Sequence, residues 1–144
     1  MRDGFVAVAA ITPEIRVADV AFNVAAVADA AADAASQGAR VIVAPELVLT
    51  GSTCGDLFWQ TALLDAAEDG ILALADATED LDAIIFVGAP VRVGGVVYSC
   101  AVVLNAGEIL GIVPASYPRD SRHFASAPDE PELVEFAEIG RAHV

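Results

Sequence analysis

The apolar positions of this chain repeat with two different periods, and the switches between them mark its elements. Phe5 to Ile11 alternates loosely and predicts a buried first strand, broken by Thr12-Pro13. After Asp19, a residue type that caps helix N-termini, Val20, Val24, Val27, Ala31 and Ala34 follow at helical spacing. Asn23, Asp29, Asp33 and Gln37 fall mostly on other faces, and Gly38 ends the helix. Val41 to Ala44 is a second strand. The strand–helix–strand order predicts a parallel βαβ unit with a right-handed crossover.

A loop of small and polar residues, Thr50 to Asp56, comes next. Leu57 to Ala77 is predicted helical in two pieces, burying Leu63, Leu64, Ala67, Ile71, Leu74 and Ala75. Ala83 to Val91 is the most apolar strand. Gly94-Gly95 then marks a tight hairpin turn, because glycine adopts positive φ freely. Ser99 to Leu104 continues the second arm, Asn105-Ala106-Gly107 is another turn, and Glu108 to Val113 a further strand. From Pro114 the pattern becomes irregular, with one more strand predicted at Leu133 to Phe136. The expectation is a mixed α/β sheet with helices on one face.

Composition narrows the class. At 144 residues the chain fits one domain with a real core, and 56% apolar content excludes a disordered chain. The formal net charge is −14, with seven arginines and no lysine. That balance argues against nucleic acid or an anionic membrane as partner. Two cysteines, Cys54 and Cys100, are too few for a disulfide framework and suit reduced thiols in the cytoplasm. Asp3 and Thr12-Pro13-Glu14 argue against reading the start as a signal peptide. No apolar run approaches the ~18 residues of a membrane span.

His123 and His143 are isolated, so no metal site is expected and both are assigned to exposed loops. Gly94-Gly95 lacks the context of a phosphate loop. Asp65, Glu68, Asp69, Asp76, Glu79, Asp80 and Asp82 are expected to form a solvated helix face.

The candidate chemistry sits in Val41 to Gly51, VIVAPELVLTG. Glu46 stands where an apolar strand ends, and a carboxylate there needs a task or a partner. Three features extend this: the helix with Asn23, PELVLTG, and the later segments FVGAPV, VVYSCAVVL and GEILGIVP. In this order they resemble the nitrilase, or carbon–nitrogen hydrolase, superfamily. The segment TGSTCGDLFWQTALLDAAEDGILALA is similar to the N-terminal glutaminase domain of glutamine-dependent NAD synthetases.

The resemblance implies a nitrilase-type four-layer α-β-β-α sandwich, of which residues 4–137 would be the N-terminal portion. It implies a Glu-Lys-Cys triad, with Glu46 as general base between apolar walls. The lysine supports the tetrahedral intermediate, and the cysteine forms a thioester with the glutamyl group as ammonia leaves. Ala115 occupies the lysine position, and no other lysine is present. The nucleophilic cysteine belongs to a later strand and is absent from this chain. Cys54 follows Glu46 too closely to match it, and Cys100 reads as a small core residue. Rescue of the missing charge by Arg119 or Arg122 is a weak alternative, since guanidinium differs in shape and pKa. Ser52 stands where relatives usually carry tyrosine, and Pro118 to Ser121 shortens the stretch that helps hold glutamine.

The chain as given is therefore expected to be inactive. Glutamine would be the substrate of the intact family member, which is expected to be a homo-oligomer. No cofactor is expected in this domain; ATP and nicotinic acid adenine dinucleotide would belong to a missing C-terminal synthetase domain. Two alternatives stay open: another nitrilase-superfamily amidase, or a degenerate, non-catalytic interaction domain. Residues 138–144 are expected to be a non-native tail, because their codons can spell a short-read sequencing adapter. Uncovered sheet edges and apolar faces predict poor solubility or self-association.

Overall fold

A computed structural model describes residues 4–130 and the backbone of Leu133–Glu135 and Arg141–His143. The elements in order are β1 (Val8–Ala10), α1 (Val20–Ser36), β2 (Val41–Val43), a 3-10 turn (Gly55–Trp59) and α2 (Thr61–Ala77). They continue as β3 (Ile84–Val93), β4 (Val96–Asn105), β5 (Glu108–Pro114), β6 (Leu133–Glu135) and β7 (Arg141–His143).

The first five strands form one mixed sheet in sequence order, β1-β2-β3-β4-β5. The first three are parallel: Val8, Val41 and Ile84 stand in register, with α1 and α2 as the crossovers. The β3–β4 hairpin pairs nine residues on each arm, from Ile85 opposite Leu104 to Val93 opposite Val96. Its turn has φ of +56° at Gly94 and +80° at Gly95, which glycine tolerates without strain. The β4–β5 turn carries Ala106 at φ +50° before Gly107, and the register shifts between Val103 and Leu104.

Asp19 caps α1 as its sequence suggests, its carboxylate accepting from the Phe22 N–H. Val20, Val24, Val27, Ala31 and Ala34 are all buried. The predicted stripe of α2 is buried too, joined by Gly70. A Cβ on Gly70 would stand 2.5 Å from Val20 Cγ1, so this glycine lets α1 and α2 approach. Ile42, Ile85, Val87, Val102, Leu104 and Ile112 form the helix-covered face, each at most 1% exposed. Burial of such a side chain stabilises by ~1.5–3 kcal/mol. The other face stays open and apolar: Val8, Val43, Leu110 and Val113 are 46–70% exposed. Helices and one sheet thus supply two of the expected sandwich layers.

Four expectations need correction or limits. The first strand is not buried: its continuous pairing is confined to Val8–Ala10, at a sheet edge, and Phe5 is 80% exposed. Asn23 is fully buried and does not lie on an outer face of its helix. Within the acidic set, α2 ends at Ala77, and two members are paired: Asp65 with Arg92 at 2.7 Å, and Asp82 with Arg40. For the strand predicted at Leu133 to Phe136, the backbone of Leu133–Glu135 pairs antiparallel with Arg141–His143, while residues 131–132, 136–140 and 144 lie outside the described residues.

Candidate active site

Residues 45–51 leave the end of β2 as a compact loop. Leu47, Val48, Leu49 and Thr50 are buried, whereas Glu46 is exposed. Leu47 adopts φ +54°, a left-handed conformation that costs a bulky residue about 1–2 kcal/mol. Surrounding contacts hold it there. The Thr50 hydroxyl donates to the Gly51 carbonyl at 2.9 Å, and the Gly51 N–H to the Leu47 carbonyl at 2.7 Å. The Leu49 N–H donates to the Gly88 carbonyl on β3 at 3.3 Å.

Two residues without an assigned role in the sequence reading complete this frame. Asn23 Nδ2 donates to the carbonyls of Arg16 (2.8 Å) and Leu49 (3.0 Å), and its Oδ1 accepts from the Arg16 N–H at 2.7 Å. One buried amide thus staples α1 to the Glu46 loop. Gly88 lets the loop lie against β3: a Cβ there would stand 2.3 Å from Leu47 N, 2.5 Å from the Pro45 carbonyl and 2.7 Å from Glu46 Cα.

The Glu46 carboxylate extends toward β4, where the Ser99 hydroxyl donates to Oε1 at 2.9 Å. Ser99 is only 3% exposed. The serine of VVYSCAVVL alternates with the core-facing Cys100, the one sequence signal that could have placed it on the site's side of the sheet. Glu46, Ser99 and Ala115 line a cleft of about 480 Å³, with Val43, Phe86, Ala101 and Val113 among its apolar walls. The cleft brings together the two positions that the sequence pairs, Glu46 and Ala115. Yet Glu46 itself is not enclosed as expected. A neighbouring cleft of about 580 Å³ joins Glu46 to Ser52, Arg119, Asp120 and Phe124.

Of the remaining candidates, Cys100 borders the Glu46 cleft, and Cys54 and Arg122 are not among its lining residues. Cys54 is buried and donates to the Thr50 carbonyl at 3.2 Å; burial raises its pKa. Cys100 faces the core, and burial pushes its thiol up to about 12. Neither thiol is set up as a nucleophile, which needs a depressed pKa or an adjacent base. Arg122 reaches toward Asp56 at 3.6 Å and lies 5.5 Å from the centroid of Trp59, and it lines neither cleft that contains Glu46. Among the described residues, no ion pair reaches Glu46 and no group of three or more His, Cys, Asp or Glu could hold a metal ion.

His123 departs from the exposed loop assigned to it. Its side chain is 8% exposed, with Nδ1 2.7 Å from Asp120 and Nε2 3.0 Å from Asp56. Its ring packs 4.7 Å from Trp59 and 6.0 Å from Phe58. The bonds to Asp56 and then Asp120 raise its pKa against the opposing effect of desolvation. The bond to His123 lowers the pKa of Asp56. For Asp120, desolvation acts upward, but bonds to the His123 side chain and backbone outweigh it, and its pKa falls.

Comparison with known proteins identifies relatives of the chain. Glutamine-dependent NAD(+) synthetases of Mycobacterium tuberculosis and Mycobacterium leprae are 43% and 38% identical over 123 and 121 residues. Those matches cover 85% and 84% of this chain, which spans only 18% of the relatives' length. The structure of a glutamine-dependent NAD(+) synthetase from Cytophaga hutchinsonii shares the fold with a TM-score of 0.88 at 20% identity, over 96% of this chain and 24% of that one. An amidase from Nesterenkonia sp. superposes with a TM-score of 0.73 at 22% identity, over 94% of this chain and 53% of that one. No described helix is long and apolar enough to cross a membrane. The sequence pattern of the carbon-nitrogen hydrolase family matches residues 6–139, nearly the whole chain. The chain belongs to the carbon-nitrogen hydrolase family.

Proposed function

We propose that this chain is the opening part of the glutamine-hydrolysing amidase domain of a glutamine-dependent NAD synthetase, and that it does not turn over glutamine by itself. The observation that carries the reading is the Glu46 carboxylate, held by Ser99 at the end of the sheet in one cleft with Ala115. Glu46 is the general base: it takes the proton of a thiol that attacks the amide carbonyl. Ammonia leaves, a thioester forms, and water then releases the acid. The cysteine would come from a later segment of the domain. Ala115 offers a methyl where an oxyanion needs a donor, and loss of one such donor slows chemistry ~100- to 1,000-fold. On this reading, ATP and nicotinic acid adenine dinucleotide are handled by a synthetase domain outside the chain, and the protein works in the cytoplasm.

Purified chain incubated with glutamine is expected to release no ammonia; turnover abolished by Glu46→Gln would overturn the inactivity. The family role is tested in a chimaera that continues residues 1–130 into the matching remainder of the Mycobacterium tuberculosis relative. With Ala115→Lys, the chimaera is expected to release ammonia and to lose that activity in Glu46→Gln. Ala115 also favours a second reading, a non-catalytic module. A chimaera that stays inactive with Ala115→Lys, despite native folding by circular dichroism, would support that second reading.

A further inference from the structure

The Ala115–Ala127 segment leaves β5 and returns across the Glu46 end of the sheet. Its backbone is tied at its ends: the Ala115 N–H donates to Ser99 O at 2.8 Å, Ala125 N–H to Val97 O at 2.9 Å, and Ala127 N–H to Ala115 O at 2.9 Å. Between those ties, Phe124 packs edge-on against Phe58 at 4.7 Å, and His123 supplies a polar link to the 3-10 turn. Asp120 belongs to the segment itself; Asp56 belongs to the turn that follows the Glu46 loop.

A neutral imidazole has one N–H and can donate to one carboxylate. Here a carboxylate oxygen lies within hydrogen-bond distance of each ring nitrogen, and only an imidazolium donates to both. The charged and titratable groups facing the ring are Asp56, Asp120 and Arg122, the last shared with Asp56. Trp59 and Phe58 supply its apolar contacts. The same segment provides Ala115, Arg119 and Asp120 to the two clefts that contain Glu46.

We propose that His123 is a protonation latch: as an imidazolium it bridges Asp120 to Asp56 and holds the Ala115–Ala127 wall at the Glu46 cleft, and as a neutral imidazole it lets that wall loosen. The proton leaves to solvent, and the neutral ring keeps one of its two carboxylate bonds. The sign follows from the raised pKa of His123: the latch is fully closed below the ordinary value of 6.5 and is lost as pH rises through the higher folded value. Asp56 and Asp120 are lowered from 3.8, so they stay ionised across that range. The inference stands whether or not the cleft handles glutamine.

Trp59 is the only tryptophan in the chain and packs on the ring, so it reports on the latch directly. The experiment follows Trp59 fluorescence and its quenching by acrylamide against pH in the full chain. Wild type is expected to show a transition with midpoint above 6.5 and greater acrylamide access on the alkaline side. His123→Gln should lose the transition and show the more accessible state throughout. Asp56→Asn and Asp120→Asn should each move the midpoint down, and they keep the test valid if His123→Gln fails to fold. A wild-type midpoint at or below 6.5, unchanged midpoints in both aspartate variants, or equal acrylamide access on both sides of the transition would each overturn the latch.

Discussion

Glu46 and Ala115 line one cleft, but the stretches of chain that carry them are held in opposite ways. The Glu46 loop is fixed from three sides: by the Asn23 amide from α1, by β3 at Gly88, and by its own Thr50 and Gly51 bonds. The Ala115–Ala127 segment has backbone ties near its ends and side-chain contacts through Phe124 and His123 in between. The difference separates structural need from chemical need. Packing accounts for Leu47, Leu49, Thr50 and Gly88 without any reaction. It does not account for the exposed carboxylate of Glu46, whose described hydrogen-bond partner is Ser99. Ala115 lies at the start of the second stretch, where its own backbone bonds to Ser99 and Ala127.

Substitutions can break this contrast. Gly88→Val is expected to have the largest effect: a branched side chain would collide with backbone atoms of Pro45, Glu46 and Leu47, costing more than about 3 kcal/mol. Urea unfolding followed by circular dichroism should lose its cooperative transition; a cost under ~1 kcal/mol would mean that the loop is not pinned against β3. Asn23→Ala comes next, leaving the Leu49 and Arg16 carbonyls without this buried donor, at about 2–3 kcal/mol in the same assay. Ser99→Ala should cost about 1 kcal/mol or less, because Glu46 can turn to water. A larger loss would show that the serine supports the sheet as well as the carboxylate. Ala115→Lys should change stability least, within ~0.5 kcal/mol, since position 115 borders an open cleft. If it destabilised the chain as much as Asn23→Ala, the second stretch would be as tightly specified as the first.

Much of the architecture was legible because it depends on local periodicity. The α1 and α2 stripes, the division of Leu57 to Ala77 into two helical pieces and the Gly94-Gly95 hairpin all agree with the sequence reading. Asn23 failed that reading because amide polarity suggests solvent. Its burial is intelligible only once Leu49 and Arg16, distant or irregular in sequence, present their backbone to it. Phe5 failed for the opposite reason: an apolar run says that burial is favourable, not that a neighbouring layer is present. The Glu46–Ala115 juxtaposition was accessible through family resemblance. The Ser99–Glu46 and His123–Asp56 contacts were harder to see, since they join residues 53 and 67 positions apart. No helical or strand period encodes such separations.

The strand order also carries a consequence for synthesis. Chains emerge N-terminal end first. Among the described residues, strand β1 pairs in the sheet with β2 alone, and the far edge of β2 has no partner until β3 follows, beyond α2. The β3–β4 hairpin, by contrast, closes over a two-residue turn with nine pairs on each arm. Local pairing of this kind is quicker to close than parallel pairing across a helix. The nascent sheet is therefore expected to start from its middle, with β2, the strand that leads into the Glu46 loop, waiting as an open edge until that hairpin has left the ribosome.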